Sequence, residues 1–293
     1  MKKFIISLAI LSAAVSCSMF ELDNFEGPNA QVTGNLIDMV TGEKVSIEAA
    51  ASQSFDWSTW SMVTAVKYGS LVVMEQGFLP PTWGGNPEDY PYKESDQDWW
   101  VRFDGNFTNT LVFAGTYKFS NKKLPCYEPD ADKNTFVLKE GRNVMNIGVL
   151  PFCRIKDPKI TYNAATKKVV ATFYVELGDP ARANKISNVA FCANTQLYVG
   201  CNNMNLAKND KGASAKNVKP GELVTLEIDT TAPENADLFK YSTQDRYFRL
   251  AALAEGNGYN QASDKFYNFS PIYKFKADFS GIEEVKWDEV KWE

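Results

Sequence analysis

The chain has 293 residues, 44% of them apolar and 13% aromatic, a composition that builds folded cores and excludes a disordered protein. Its formal net charge is −5 and it has no basic tract, so the electrostatic footprint of a nucleic-acid binder is missing. It contains no histidine, which excludes Ser-His-Asp and Cys-His nucleophile systems, histidine acid–base catalysis and every histidine metal site.

Lys2 and Lys3 open the chain, followed by an apolar run from Phe4 to Val15 broken only by Ser7 and Ser12. The run has the length of a signal-peptide core and falls short of the ~20 apolar residues that cross a bilayer. It ends in Ala14-Val15-Ser16-Cys17, small residues before a cysteine, as in a bacterial lipoprotein signal. Residues 1–16 therefore read as a signal peptide, Cys17 as the acylated first residue and residues 17–27 as a linker to the anchor. A plain cleaved signal with an incidental cysteine is the alternative. Acyl chains contribute ~0.8 kcal/mol per buried CH₂, and several together hold a folded domain on a membrane. With Cys17 assigned to lipid, Cys126, Cys153, Cys192 and Cys201 remain. That even number permits two disulfides in any of three pairings, with four free thiols the alternative in a chain of this size.

From residue 28 the pattern is period-2 alternation between turn signals, with little helical periodicity. Ala30 to Ile47 predicts a strand, a turn and a strand, with Asp38 placed to accept hydrogen bonds from the turn backbone and Gly42 free to take positive φ. Ser70 to Glu75 predicts a short strand. Trp99, Val101 and Phe103 alternate on one face up to an Asp104-Gly105 turn, which puts Trp100 on the other face. Thr110 to Phe119 predicts one strand carrying Leu111, Phe113, Tyr117 and Phe119 on one side. Thr135–Leu138 and Asn143–Leu150 predict a hairpin about Glu140-Gly141. After Pro151 a second set begins, with a hairpin of Lys159–Tyr162 and Lys168–Leu177. Further strands are predicted at Val189–Ala193, Leu197–Gly200, Leu223–Ile228, Tyr247–Ala254 and Phe266–Phe275. The expected architecture is all-β, with two β-sandwich domains at residues 28–150 and 151–279 and a tail at 280–293. A five-residue repeat, Glu-Val-Lys-Trp-Asp and then Glu-Val-Lys-Trp-Glu, fills Glu284 to Glu293 and predicts a mobile or loosely docked end.

Candidate chemistry is sparse. No Gly-rich phosphate loop or dinucleotide fingerprint is present, so no cofactor is expected. Ser120 and Lys123 have the Ser-x-x-Lys spacing but lack the other motifs of that hydrolase class. Asp130, Asp132 and Asn134 open like a calcium loop, but Thr135 and Gly141 stand where glycine and glutamate are needed, so no metal site is expected. The most suggestive stretch is Pro80 to Trp100, which interleaves aromatic rings with acids over a span longer than an ordinary hairpin loop. Aromatic faces stack on sugar C–H surfaces while acids and amides bond hydroxyls. Trp83, Tyr90, Tyr92 and Trp100 are the candidate ligand-binding residues, with loop anchoring and core packing the competing role. Trp57 and Trp60 lie in a second polar, turn-like stretch.

Leu22–Glu43 (LDNFEGPNAQVTGNLIDMVTGE) and Phe103–Phe119 (FDGNFTNTLVFAGTYKF), with a weaker stretch from Phe136 to Phe152, resemble a family of Bacteroidetes lipoproteins of unknown function. Its members begin with a transthyretin-like, carboxypeptidase-regulatory-like domain whose Gly-x-x-x-Asp-x-x-Thr-Gly pattern is matched by Gly34, Asp38, Thr41 and Gly42. An Ig-like domain follows in the family, matched here more weakly. The resemblance implies a locus shared with a TonB-dependent glycan importer and its partner lipoprotein. It therefore implies outer-membrane localisation and an accessory, non-catalytic, carbohydrate-binding role for a polysaccharide or oligosaccharide. The alternative is a structural or docking partner of the transporter without glycan affinity. A glycan hydrolase with two facing carboxylates is the third reading.

Overall fold

The computed structural model describes residues 27–56, 61–76, 96–182, 185–201, 205–207, 213–241, 243–255 and 266–287. Cys17, Trp57, Trp60, Trp83, Tyr90 and Tyr92 lie outside the described residues. The fold is an all-β, multi-domain sandwich.

The first ten strands are β1 (Ala30–Asp38), β2 (Ala50–Asp56), β3 (Ser61–Tyr68), β4 (Ser70–Gln76) and β5 (Gln97–Trp100), then β6 (Asn106–Val112), β7 (Gly115–Ser120), β8 (Cys126–Tyr127), β9 (Thr135–Leu138) and β10 (Gly141–Pro151). They form one sheet in the order β6-β1-β10-β8, a second in the order β5-β4-β7-β9, and a separate β2-β3 hairpin. β1 runs parallel to β10 and antiparallel to β6. Val32 and Leu36 of β1, Leu71 and Val73 of β4, Trp99, Phe107, Tyr117 and Ile147 share one core. Alternation along β1 sends Ala30, Val32 and Leu36 inward and leaves Gln31, Thr33 and Asn35 outward. Gly34 occupies the remaining inward position, where a Cβ would lie 1.6 Å from the Met145 carbonyl oxygen of β10. The parallel pairing closes only around a residue with no side chain.

Several predicted elements divide or pair differently. The single strand expected from Thr110 to Phe119 is broken at Phe113-Ala114, where the chain leaves the sheet of β6 for the sheet of β7. The break resets the alternation: Val112, Tyr117 and Phe119 are buried, whereas Leu111 and Phe113 are exposed. The corner is pinned by the Asn29 side chain, which accepts from the Ala114 N–H at 2.8 Å. The Tyr117 hydroxyl also donates to the Phe113 carbonyl at 2.8 Å. Likewise β9 and β10 do not pair with each other. β9 joins β7 and β10 joins β1, so the turn at Gly141 (φ +80°) carries the chain between sheets.

The remaining strands are β11 (Cys153–Asn163), β12 (Lys168–Leu177), β13 (Lys185–Asn194), β14 (Ser214–Val218), β15 (Val224–Asp229), β16 (Arg246–Glu255), β17 (Asn268–Phe269), β18 (Tyr273–Phe275) and β19 (Ile282–Glu284). A three-stranded sheet, β11-β12-β15, faces a larger one ordered β14-β13-β16-β18-β19, with β17 added to β16. Val169, Phe173, Val175, Phe191, Phe248 and Leu250 fill the space between them. β13 and β16 are buried on both faces, which is why Val189–Ala193 and Leu250–Ala254 read as nearly unbroken apolar runs. Their second face packs on Val199, Tyr267, Phe269 and Ile272, and on Phe103 from the turn between β5 and β6.

Leu197–Gly200, predicted as a strand, is an irregular loop. The tail also departs from expectation in its described part. β19 pairs with β18, the Val285 N–H donates to the Ile272 carbonyl at 2.8 Å, and Trp287 stacks on Phe103 with ring centroids 6.1 Å apart. Val285 and Trp287 pack there against the third apolar cluster.

Candidate functional site

A cleft of about 820 Å³ opens where the two sets of strands meet. Three local structures build its walls. The first is the turn after β1, where the Gly42 N–H donates to the Asp38 carbonyl at 2.8 Å and the Val40 N–H to the Asp38 carboxylate at 2.9 Å. Gly42 sits at φ +73°, and the Thr41 hydroxyl accepts from the Glu43 N–H at 3.2 Å. The Gly-x-x-x-Asp-x-x-Thr-Gly pattern is thus one strand contact followed by one turn. The second wall is the turn at residues 102–106. Gly105 takes φ +81°, and the Asp104 carboxylate accepts from the Asn106 N–H at 3.1 Å. The third wall comes from the start of β11, from residues 268–273 and from the tail residues Glu284–Trp287.

The back of the cleft is held by buried polar ties between the halves. Arg154 makes a two-pronged ion pair with Asp38, its second nitrogen donating at 2.8 Å, and both side chains are almost wholly buried. Burial pushes the Asp38 carboxyl up. The Arg154 hydrogen bond, the Val40 N–H and the Arg154 charge outweigh it and hold the group below its usual value. Hydrogen bonding to Asp38 raises Arg154 in turn. The buried Asn268 amide donates to the Pro125 carbonyl at 2.9 Å and accepts from the Cys153 N–H at 3.1 Å.

Arg249 on β16 is fully buried. It donates to the carbonyls of Ser270 at 3.0 Å and Phe103 at 3.1 Å, with a longer 3.5 Å contact to Val199. Its guanidinium lies over the Phe269 ring at 4.3 Å and the Phe103 ring at 5.1 Å. Burial pulls Arg249 down to about 9, and the charge of the buried Glu48 opposes that shift. The guanidinium is therefore still cationic at neutral pH.

The cleft surface mixes charge with aromatic rings. Lys44, Arg102, Lys156 and Lys286 face Glu43, Asp104, Asp157 and Glu284, so cations and anions balance. Phe103, Tyr273 and Trp287 supply rings, and Tyr198 adjoins them with its ring 5.4 Å from Phe103 and 6.2 Å from Trp287. Tyr273 is pushed up to about 12 by burial and then by Glu284, and so keeps its proton as a hydroxyl donor. Cys153 lines the cleft but is no nucleophile at neutral pH. Burial pushes its thiol up to about 12, and its sulfur donates towards the Ala252 carbonyl and the Asn268 oxygen. Hydroxyl-rich, uncharged ligands suit this surface: its acids and bases can bond hydroxyls, and its rings can take C–H faces.

Of the residues singled out in the sequence, Trp99 is buried in the first core and Trp100 is 45% exposed on β5, outside the cleft. Ser120 donates to Glu128 at 3.0 Å while Lys123 pairs with Asp98 at 2.7 Å, so the Ser-x-x-Lys spacing does not bring serine and lysine into one device. Asp130 pairs with Lys133 at 2.9 Å on the surface. Among the described residues no group of three or more Cys, Asp or Glu side chains converges as a metal site. The cleft residues Arg102, Tyr273 and Trp287 were not anticipated from sequence. The one available signal was Arg249 inside an apolar run, since such a charge is buried only with partners.

No protein-family model matches the sequence, and no curated protein matches it. Solved structures do. A Bacteroides uniformis protein proposed to bind carbohydrate superposes with a TM-score of 0.64 at 27% identity, over 85% of this chain and 100% of its own. A DUF3823 family protein from Parabacteroides merdae gives 0.60 at 18%, over 86% and 100%. Another from Bacteroides ovatus gives 0.55 at 19%, over 85% and 99%. The chain has the fold of these proteins. Its structural neighbours thus include DUF3823 proteins, a family of unknown function from Bacteroides and Parabacteroides.

Proposed function

We propose that this chain is a carbohydrate-binding lipoprotein of the DUF3823 kind. In this reading it is anchored at the outer membrane through Cys17, is built from a transthyretin-like and an Ig-like domain, and serves a glycan-uptake system without catalysing a reaction. The observation that carries the reading is the cleft between the two sets of strands, which places Tyr273 and Trp287 beside balanced charged side chains. The Bacteroides uniformis relative, proposed to bind carbohydrate, supports it. Charge balance favours a neutral glycan over a polyanion, because a uronate chain would gain no net attraction. Rings already held against Phe103 lose little freedom when a sugar stacks on them.

Affinity electrophoresis against a panel of neutral polysaccharides tests the reading. The protein is expected to be retarded by at least one, and Trp287→Ala combined with Arg102→Ala is expected to abolish the retardation. Absence of retardation across the panel overturns carbohydrate binding. Retardation that survives that pair but is lost in Trp83→Ala with Tyr90→Ala moves the site from the cleft to the Pro80–Trp100 stretch of the sequence.

A further inference from the structure

The four cysteines after Cys17 do not share one environment. Cys126 packs in the core of the first strands and Cys153 in the core of the second, each a buried free thiol. Cys192 and Cys201 sit together in the third cluster, on the face of β13 that meets the first half. In that cluster Cys201 is the group that, ahead of burial, pushes the Cys192 thiol well up. The loop after β13 is built to bring this about. Ala193 donates its N–H to the Asn205 side chain at 3.1 Å and accepts from the Leu206 N–H at 2.8 Å, which closes the loop at its base. Inside it the Gln196 N–H bonds the Asn194 side chain at 3.0 Å, and Val199 is buried. Cys192 is sealed, whereas Cys201 is half-buried and within reach of small reagents. The Tyr267 hydroxyl, held by the Asn188 amide at 2.9 Å, belongs to the same cluster.

We propose that Cys192 and Cys201 form a disulfide that clips the loop at residues 195–201 onto β13, made and broken by thiol–disulfide exchange. Cys201 gives up its proton, and its sulfur attacks a small disulfide such as oxidised glutathione. One thiolate leaves and takes up that proton. Cys192 then loses its proton, attacks the Cys201 sulfur of the mixed disulfide and expels the second thiolate, which is protonated in its turn. The protein loses two S–H bonds and gains one S–S bond; the oxidant does the reverse. Four free thiols and three possible pairings thereby reduce to one pair and two core thiols. The clip fixes Tyr198, which touches Phe103 and Trp287 at the edge of the cleft. The proposal does not depend on the glycan reading.

Peptide mapping tests it. The full chain is reduced, transferred into oxidised glutathione, blocked with N-ethylmaleimide in denaturant and digested with trypsin. No lysine or arginine lies between Cys192 and Cys201, so both fall on the peptide spanning residues 186–208. That peptide is expected to carry no maleimide and to be lighter than its reduced form by about 2 Da, the two hydrogens lost. Maleimide on both cysteines, glutathione left on Cys201, or a cross-link from either residue to another peptide overturns the proposal. The oxidised chain is also expected to melt about 5 °C above the reduced one, and Cys201→Ser to abolish that gap. A gap that persists in Cys201→Ser overturns it as well.

Discussion

Asp38 ends a strand, organises the following turn and meets Arg154 across the boundary between the halves. Removing one partner of a buried ion pair strands the other, a loss of about 3–5 kcal/mol. Asp38→Ala is therefore expected to lower the urea midpoint strongly, whereas a double change to Asp38→Leu with Arg154→Met recovers most of it. The carboxyl is held below its usual value in the folded state, so its contribution is complete above its unfolded pKa of about 3.9 and fades as pH falls through the lower folded value. Urea titrations at several pH values should show the advantage over Asp38→Asn constant near neutrality and shrinking below about pH 4. Arg249 behaves differently. A lysine there could not spread over three carbonyls and two rings, so Arg249→Lys is expected to cost nearly as much as Arg249→Met, read from the same titrations.

The strand elements show what sequence could and could not supply. β1, β12 and β16 were legible because a sandwich interior imposes either strict alternation or an unbroken apolar run. The corner at Phe113-Ala114 was not. Leu111 and Phe113 continue the same phase as Tyr117 and Phe119 in sequence, and only the pairing of β6 with β1 and β7 with β4 reveals that the phase is interrupted. The cleft was illegible for a related reason. Its rings and charges come from residues 38–46, 102–106, 153–158 and 268–287, and no local pattern links segments that far apart. The turn after β1 was visible from Asp38 and Gly42, but that it walls a cleft follows only from the contact with Arg154. Two glycines of that element should separate experimentally. Gly34→Ala drives a Cβ into the Met145 carbonyl and is expected to cost about 3 kcal/mol or more. Gly42→Ala has open space and pays only for its positive φ, about 1 kcal/mol. Chemical denaturation of both variants gives the ranking directly.

At the scale of the whole molecule, the halves are joined by buried polar groups and not only by apolar contact. Asn268 reaches Pro125, Arg154 reaches Asp38 and Arg249 reaches Phe103. Calorimetry of the full chain is expected to show one cooperative transition, because opening the junction leaves each of these groups to be rehydrated at once. Two resolved transitions would contradict that coupling. Expressed alone, residues 151–293 should be poorly soluble, since the face carrying Tyr267, Phe269 and Ile272 would lose the Phe103 side of its cover.

The carbonyl of Phe103 has a consequence for ancestry and engineering. One oxygen accepts both the Ile47 N–H of its own half, at 3.1 Å, and the guanidinium of Arg249 from the other, also at 3.1 Å. Neither half is therefore a freely exchangeable cassette. A chimera that grafts a foreign second domain behind β10 must bring a cation to that oxygen and to Glu48, or replace both sites together. Sequence drift at residues 48 and 249 should accordingly travel together among descendants of this architecture, even where the loops around the cleft diverge.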